Sequence, residues 1–192
     1  MKRFFPWILA AALAAGLLAA GTARSGTAPA AAPALREMQV HKVPELGLEI
    51  WVENQPAWDT QLSTQTGHPT FVAQSPDNYH PPTVMTYASW PGAKAGNMRD
   101  VAITAIRRAS QNFGLNLGQS RGIQPVPAEY GVLRGYEATF GGSADGVPMD
   151  VTVFVGQAPG KFPVALSIYT LRGKMPSLDE QRRRSWTKLN YL

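Results

Sequence analysis

The chain has 192 residues, 44% hydrophobic and 16% charged. That is enough apolar side chain for one packed domain and rules against wholesale disorder. It contains no cysteine, which excludes a disulfide framework, a thiolate metal site, a cysteine nucleophile and a lipidated-cysteine anchor. The formal charge is +5, with 12 arginines and 6 lysines against 13 acidic residues.

Lys2 and Arg3 precede a charge-free run of apolar and small residues from Phe4 to Ala20, and Gly21, Thr22 and Ala23 follow. A basic start, an apolar run and a small-residue exit predict a Sec-type signal peptide over residues 1–23, cut after Ala23. The chain is then exported, periplasmic in a Gram-negative cell or extracellular. The rival reading is an uncleaved membrane anchor. The run is at the short limit for crossing roughly 30 Å of hydrocarbon, and Pro6 and Gly16 interrupt it. Without the signal, 16 basic residues face 13 acidic ones. So small an excess is weak evidence for nucleic acid or acidic membranes as partners.

Residues 24–34 are Ala/Pro-rich with no large apolar side chain before Ala34, and read as a tether. A single domain is expected over 35–192. Leu35 to Val43 reads as a first strand. In Gly47 to Glu53, Leu48, Ile50 and Val52 alternate with Glu49, Trp51 and Glu53, a strand pattern closed by Asn54-Gln55-Pro56. Gln61 to His68 reads as a polar loop. Thr70 to Gln74 and Thr83 to Trp90 read as strands, separated by the proline-rich loop Ser75 to Pro82.

Asn97 to Phe113 is the clearest helix. Met98, Val101, Ala102, Ala105, Ile106, Ala109 and Phe113 form one stripe, Asn97 can cap it and Gly114 stops it. Gly131 to Phe140, Val147 to Gly156 and Phe162 to Leu171 follow as a meander, joined by the glycine-rich Gly141 to Gly146 and by Pro159-Gly160. Close turns between apolar strands predict antiparallel pairing. Ser177 and Glu180 have the spacing of a capping box for a last helix carrying Leu178, Arg182 and Trp186. The expected class is α+β, with helices on a mostly antiparallel sheet.

This order resembles the PsbP-like superfamily. A strand running through Trp51 to Pro56 and Trp58, a helix after the first sheet segment, the glycine-centred Leu133-Arg134-Gly135-Tyr136-Glu137-Ala138 and a closing helix at Ser185-Trp186 carry the resemblance. It implies an α-β-α sandwich without a shared catalytic centre, whose members mostly act as binding or assembly factors. It supplies no site residue to carry over.

The sequence holds no G-x-S-x-G, no phosphate-cradling glycine-lysine loop, no G-x-G-x-x-G and no H-E-x-x-H. His41, His68 and His80 match no compact metal signature and read as surface or loop histidines. Glu49 and Glu53 share a strand face roughly 13 Å apart, too far for joint acid–base work, and Asp145 belongs to a turn. No catalytic, cofactor or metal residue is assigned, and the chain is expected not to be an enzyme.

Trp51, Trp58, Tyr79, Tyr87 and Trp90 cluster between residues 51 and 90, and Arg182-Arg183-Arg184 is the one basic run. Exposed aromatics and arginines anchor partners. Rings buried under both faces of a sheet, and a basic last turn that complements a helix dipole, need no partner. The candidate partner-binding residues are therefore Trp51, Trp58, Tyr79, Trp90, Arg182 and Arg183. The leading expectation is a non-catalytic exported protein that binds another protein in the cell envelope, as an immunity-type inhibitor or an assembly factor. A small-molecule or lipid carrier is the alternative, and an unrecognised hydrolase comes third. Nucleic acid is not expected as a partner, and a membrane only through an uncleaved signal.

Overall fold

A computed structural model describes residues 37–64, 67–93 and 97–192. The expected signal peptide and tether lie outside the described residues. Among the described residues, ten strands and three helices follow in the order β1 (Met38–Val43), β2 (Leu48–Glu53), β3 (Asp59–Ser63), β4 (Thr70–Gln74), β5 (Thr83–Ser89), α1 (Met98–Asn112), α2 (Leu117–Gly122), β6 (Val126–Tyr130), β7 (Leu133–Ala144), β8 (Val147–Gln157), β9 (Val164–Leu171), α3 (Asp179–Thr187) and β10 (Asn190–Tyr191). A 3-10 turn, Met175–Leu178, leads into α3. None of the described helices is long and apolar enough to cross a membrane.

All pairing is antiparallel. Seven strands make one sheet in the order β3-β4-β5-β9-β8-β7-β6, and β1-β2-β10 make a second. Strand periodicity divides the large sheet's side chains between two cores. On β8, Met149, Val151, Val153 and Val155 meet α1 through Ala102 and Ile106. Phe154 points the other way, to the small sheet and α3, where it joins Leu48, Ile50, Val52 and Trp186. β4 splits likewise, with Val72 on the α1 side and Phe71 and Ala73 on the other. Trp186, Phe154 and Leu48 are fully buried. Each such side chain contributes about 1.5–3 kcal/mol by leaving water. The result is the expected α+β class, with helices on both faces of a mostly antiparallel sheet.

Several local expectations are corrected. Gln61 to His68 is not all loop: β3 pairs Asp59–Ser63 with Thr70–Gln74. A sheet-edge strand half open to water needs no apolar alternation, so its polar composition hid it. α2 and β6 had no apolar stripe to announce them. α2 rests on a capping box in which the Asn116 side chain accepts from the Gln119 backbone N–H at 2.9 Å and the Gln119 side chain accepts from the Asn116 N–H at 3.0 Å.

Gly141 and Gly142 belong to β7, and the hairpin turn is Asp145-Gly146 alone, with φ of 49° and 82°. Positive φ at both central residues is the condition for the two-residue turn that matches strand twist. Gly141 and Gly142 serve close approach instead. A Cβ on Gly141 would fall 2.3 Å from the Arg172 guanidinium carbon, and one on Gly142 2.6 Å from the Phe113 carbonyl oxygen. The Ser177–Glu180 box does not form. The Ser177 hydroxyl donates to the Lys174 carbonyl at 2.7 Å inside the 3-10 turn, and α3 begins with no side-chain cap.

Candidate functional site: the seam between β2 and α3

β10 pairs with β2 only at Leu48 and Glu49. Farther along β2, α3 takes over. The Ser185 hydroxyl donates to the Trp51 carbonyl. A serine has one O–H to give, so its contact with the Tyr87 phenol, 2.6 Å long, is one in which Tyr87 donates. Tyr87, Ser185 and Trp51 thus form a directed relay from the large sheet through the helix to the small sheet. Burial pushes the Tyr87 phenol well above its ordinary pKa, which keeps that donor proton in place.

The flank of α3 carrying Arg184 and Lys188, one turn apart, meets the side of β2 that carries Trp51 and Glu53. The Lys188 ammonium stands 4.9 Å above the Trp51 ring. The Arg184 guanidinium lies 3.9 Å from Glu53, whose side chain is 3% exposed. Tyr79 closes the carboxylate from the other side, donating to it at 3.0 Å, and packs edge-on to Trp58 at 5.2 Å. Trp51, Trp58 and Tyr79, found 28 residues apart in sequence, therefore meet the basic helix around one buried carboxylate.

Their roles differ. Trp58 and Tyr79 are buried, so their rings act as packing and as the clamp on Glu53 rather than as surface anchors. Trp51 is half-buried under Lys188, and its indole N–H is buried without a partner. Arg182 turns inward. It pairs with Asp179 at 3.2 Å and Glu137 at 3.5 Å and lies over the Trp186 and Tyr130 rings, with only 15% of its side chain exposed. Tyr130 also donates to Glu137 at 2.6 Å, and burial together with that carboxylate raises the phenol's pKa. Arg183 is exposed. Trp90 is not part of the seam: it follows β5 at the end away from the Tyr79 loop, its backbone N–H donating to the Pro163 carbonyl at 3.1 Å.

The histidines stand apart from the seam. His41, on β1, packs against Phe71 with ring centroids 5.3 Å apart, and burial lowers its pKa. His68 and His80 are exposed loop residues. Among the described residues, no three His, Asp or Glu side chains gather where they could hold a metal. A small cleft of about 40 Å³ lies beside the Ser75–Pro82 loop. An open groove of about 520 Å³ runs along the β6 edge past Ile123 and Thr139.

The sequence reading missed Ser185 and Glu53. Ser185 is 134 residues from Trp51 and 98 from Tyr87, so only tertiary packing reveals its part. Glu53 had one available signal, a carboxylate placed two residues after Trp51 and just before a chain-turning proline segment.

No known protein family and no curated protein matches the chain. Solved structures do. A protein from Bacteroides thetaiotaomicron, determined by crystallography at 1.50 Å, aligns with a TM-score of 0.54 at 10% identity over 80% of this chain. The alignment spans 48% of that protein, so this chain covers about half its length. The solution structure of cyanobacterial PsbP from Synechocystis aligns at 12% identity and a TM-score of 0.44, over 87% of this chain and 98% of its own. The likeness is one of fold.

Proposed function

We propose that this protein is a non-catalytic exported binding protein that engages another protein of the cell envelope through the outer side of the β2–α3 seam. The observation that carries this reading is the Trp51–Lys188 pair. A half-buried indole is held under a surface ammonium, with Arg183 exposed on the same helix, on a scaffold fixed by the Glu53 clamp and the Ser185 relay. A rigid aromatic with neighbouring cations loses little freedom on binding and can meet both apolar and acidic groups. The partner is met either as the target of an immunity-type inhibitor or as the client of an assembly factor.

Site-specific photo-crosslinking in living cells tests this. A crosslinking residue at position 183 captures one defined protein, Lys188→Glu abolishes the product, and a crosslinker in the Asp145 turn does not give it. The captured protein's identity separates immunity from assembly. No product from position 183, or the same product from both positions, overturns the proposal. The carrier alternative has less support: drug-sized ligands need roughly 300–1,000 Å³ of largely enclosed space, whereas the cleft beside the Ser75–Pro82 loop offers about 40 Å³ and the groove of about 520 Å³ along β6 lies open.

A further inference from the structure

The described residues carry 13 basic and 13 acidic side chains, yet the charge is unevenly placed. Residues 97–125, which build the α1–α2 layer, hold Arg99, Arg107, Arg108 and Arg121 against Asp100 alone. Elsewhere, Lys42, Arg134, Arg172, Arg182 and Arg184 each have a carboxylate partner. Among the described residues, none of the four arginines on α1 and α2 is ion-paired. Arg99, Arg108 and Arg121 are exposed and Arg107 is half-buried. Arg99 stands in the first turn of α1, where a cation works against the helix dipole, so helix stability does not account for it.

α1 and α2 are joined into one surface by the hydroxyl contact from Ser110 to Ser120 at 2.8 Å. One turn before Arg121, on the same side of α2, Leu117 is 52% exposed. Arginine presents a planar fork that grips phosphate oxygens in pairs. An exposed leucine beside it suits insertion among acyl chains at the headgroup boundary. An acidic protein face would satisfy the arginines and leave Leu117 unexplained.

We propose that the α1–α2 face docks on an anionic phospholipid surface. This face lies across the seven-stranded sheet from the β2–α3 seam, so lipid contact leaves that seam open, and the proposal stands independently of the partner reading. The small net charge gave no sign of it because the rest of the domain offsets the helical layer.

The test is co-sedimentation of the full chain with vesicles of phosphatidylglycerol mixed with phosphatidylcholine, against vesicles of phosphatidylcholine alone. An apolar N-terminal run would adhere to both, so the difference between them isolates the helical face. The expected result is stronger binding to the anionic vesicles, lost at high salt. Each arginine removed in the series R107Q, R108Q and R121Q weakens binding about five-fold, roughly a hundred-fold for all three. Leu117→Ser weakens it further, while R183Q and K188Q leave it unchanged. These side chains are largely at the surface, and an unchanged circular dichroism spectrum confirms folding. Equal binding to both vesicle types, or indifference to the three arginines, overturns the proposal. So does equally tight binding of poly-glutamate, which would assign the face to an acidic protein, or displacement from vesicles by millimolar inorganic phosphate, which would assign it to the free anion.

Discussion

The Ser185 hydroxyl lies 2.6 Å from the Tyr87 phenol oxygen, and both groups are shut away from water. Ser185→Ala takes the hydroxyl partner from the Trp51 carbonyl and leaves the Tyr87 O–H only the weak Met85 sulfur acceptor at 3.6 Å. Unsatisfied buried groups of this kind cost about 1–3 kcal/mol. The expected outcome is a lower urea midpoint with an unchanged slope. A midpoint equal to the parent's would show that the relay contributes no stability.

Alkaline unfolding follows from the buried phenols. Burial raises the pKa of Tyr87 and Tyr169 above the ordinary value near 10. The folded state therefore keeps protons that the unfolded chain releases. Stability from this source is full below about pH 10 and falls as pH rises beyond it. Tyr169→Phe should make the decline shallower in urea titrations run on the alkaline side.

His41 acts at the other end of the scale. Burial against Phe71 lowers its pKa, so the folded state disfavours the imidazolium. Its contribution is full above about pH 6.5, the unfolded value, and is lost as pH falls below it. Replacing His41 by Gln should flatten the dependence of the urea midpoint between roughly pH 7.5 and 5. An unchanged slope would sink the assignment.

Gly135 sits opposite Gly156 in the β7–β8 pairing. A Cβ there would fall 2.1 Å from the Val155 carbonyl oxygen and 2.5 Å from the Gly156 Cα. These are backbone atoms and cannot swing aside. Gly135→Ala should cost about 3 kcal/mol or more, read as a large drop in melting temperature or a failure to fold. Gly160→Ala is no match for it, since a Cβ at Gly160 meets nothing within 4 Å and only its φ of 72° resists.

Arg182→Lys separates charge from shape. Lysine keeps the cation but cannot reach Glu137 and Asp179 with one planar fork while covering two rings. A loss of about 2 kcal/mol is expected, and chemical denaturation measures it. Full rescue by lysine would mean that the ring contacts contribute little.

The sequence was most legible where one period dominated. The Ala102–Ile106 stripe gave α1, and the alternation of Leu48, Ile50 and Val52 gave the inward face of β2. It was least legible where stability comes from polar contacts between distant residues. β3 is an edge strand without apolar alternation, and α2 hangs on an Asn116–Gln119 cap that few apolar side chains accompany. The aromatic cluster was visible, but its division was not. Trp58 and Tyr79 are buried together with Glu53, and nothing near residue 53 announces Arg184.

β2 lies between the first and the last strand of the fold, with β1 on one edge and β10 on the other. The small sheet therefore cannot be completed before residues 190–191 have been made and are free to pair. Until then the Leu48 end of β2 lacks its second neighbour, and the Trp51 end lacks α3. Folding of this layer thus waits on residues that lie about 140 positions after β2. Before that, the β7–β8 hairpin, whose strands are joined by a two-residue turn, has all it needs to pair, while the small sheet does not.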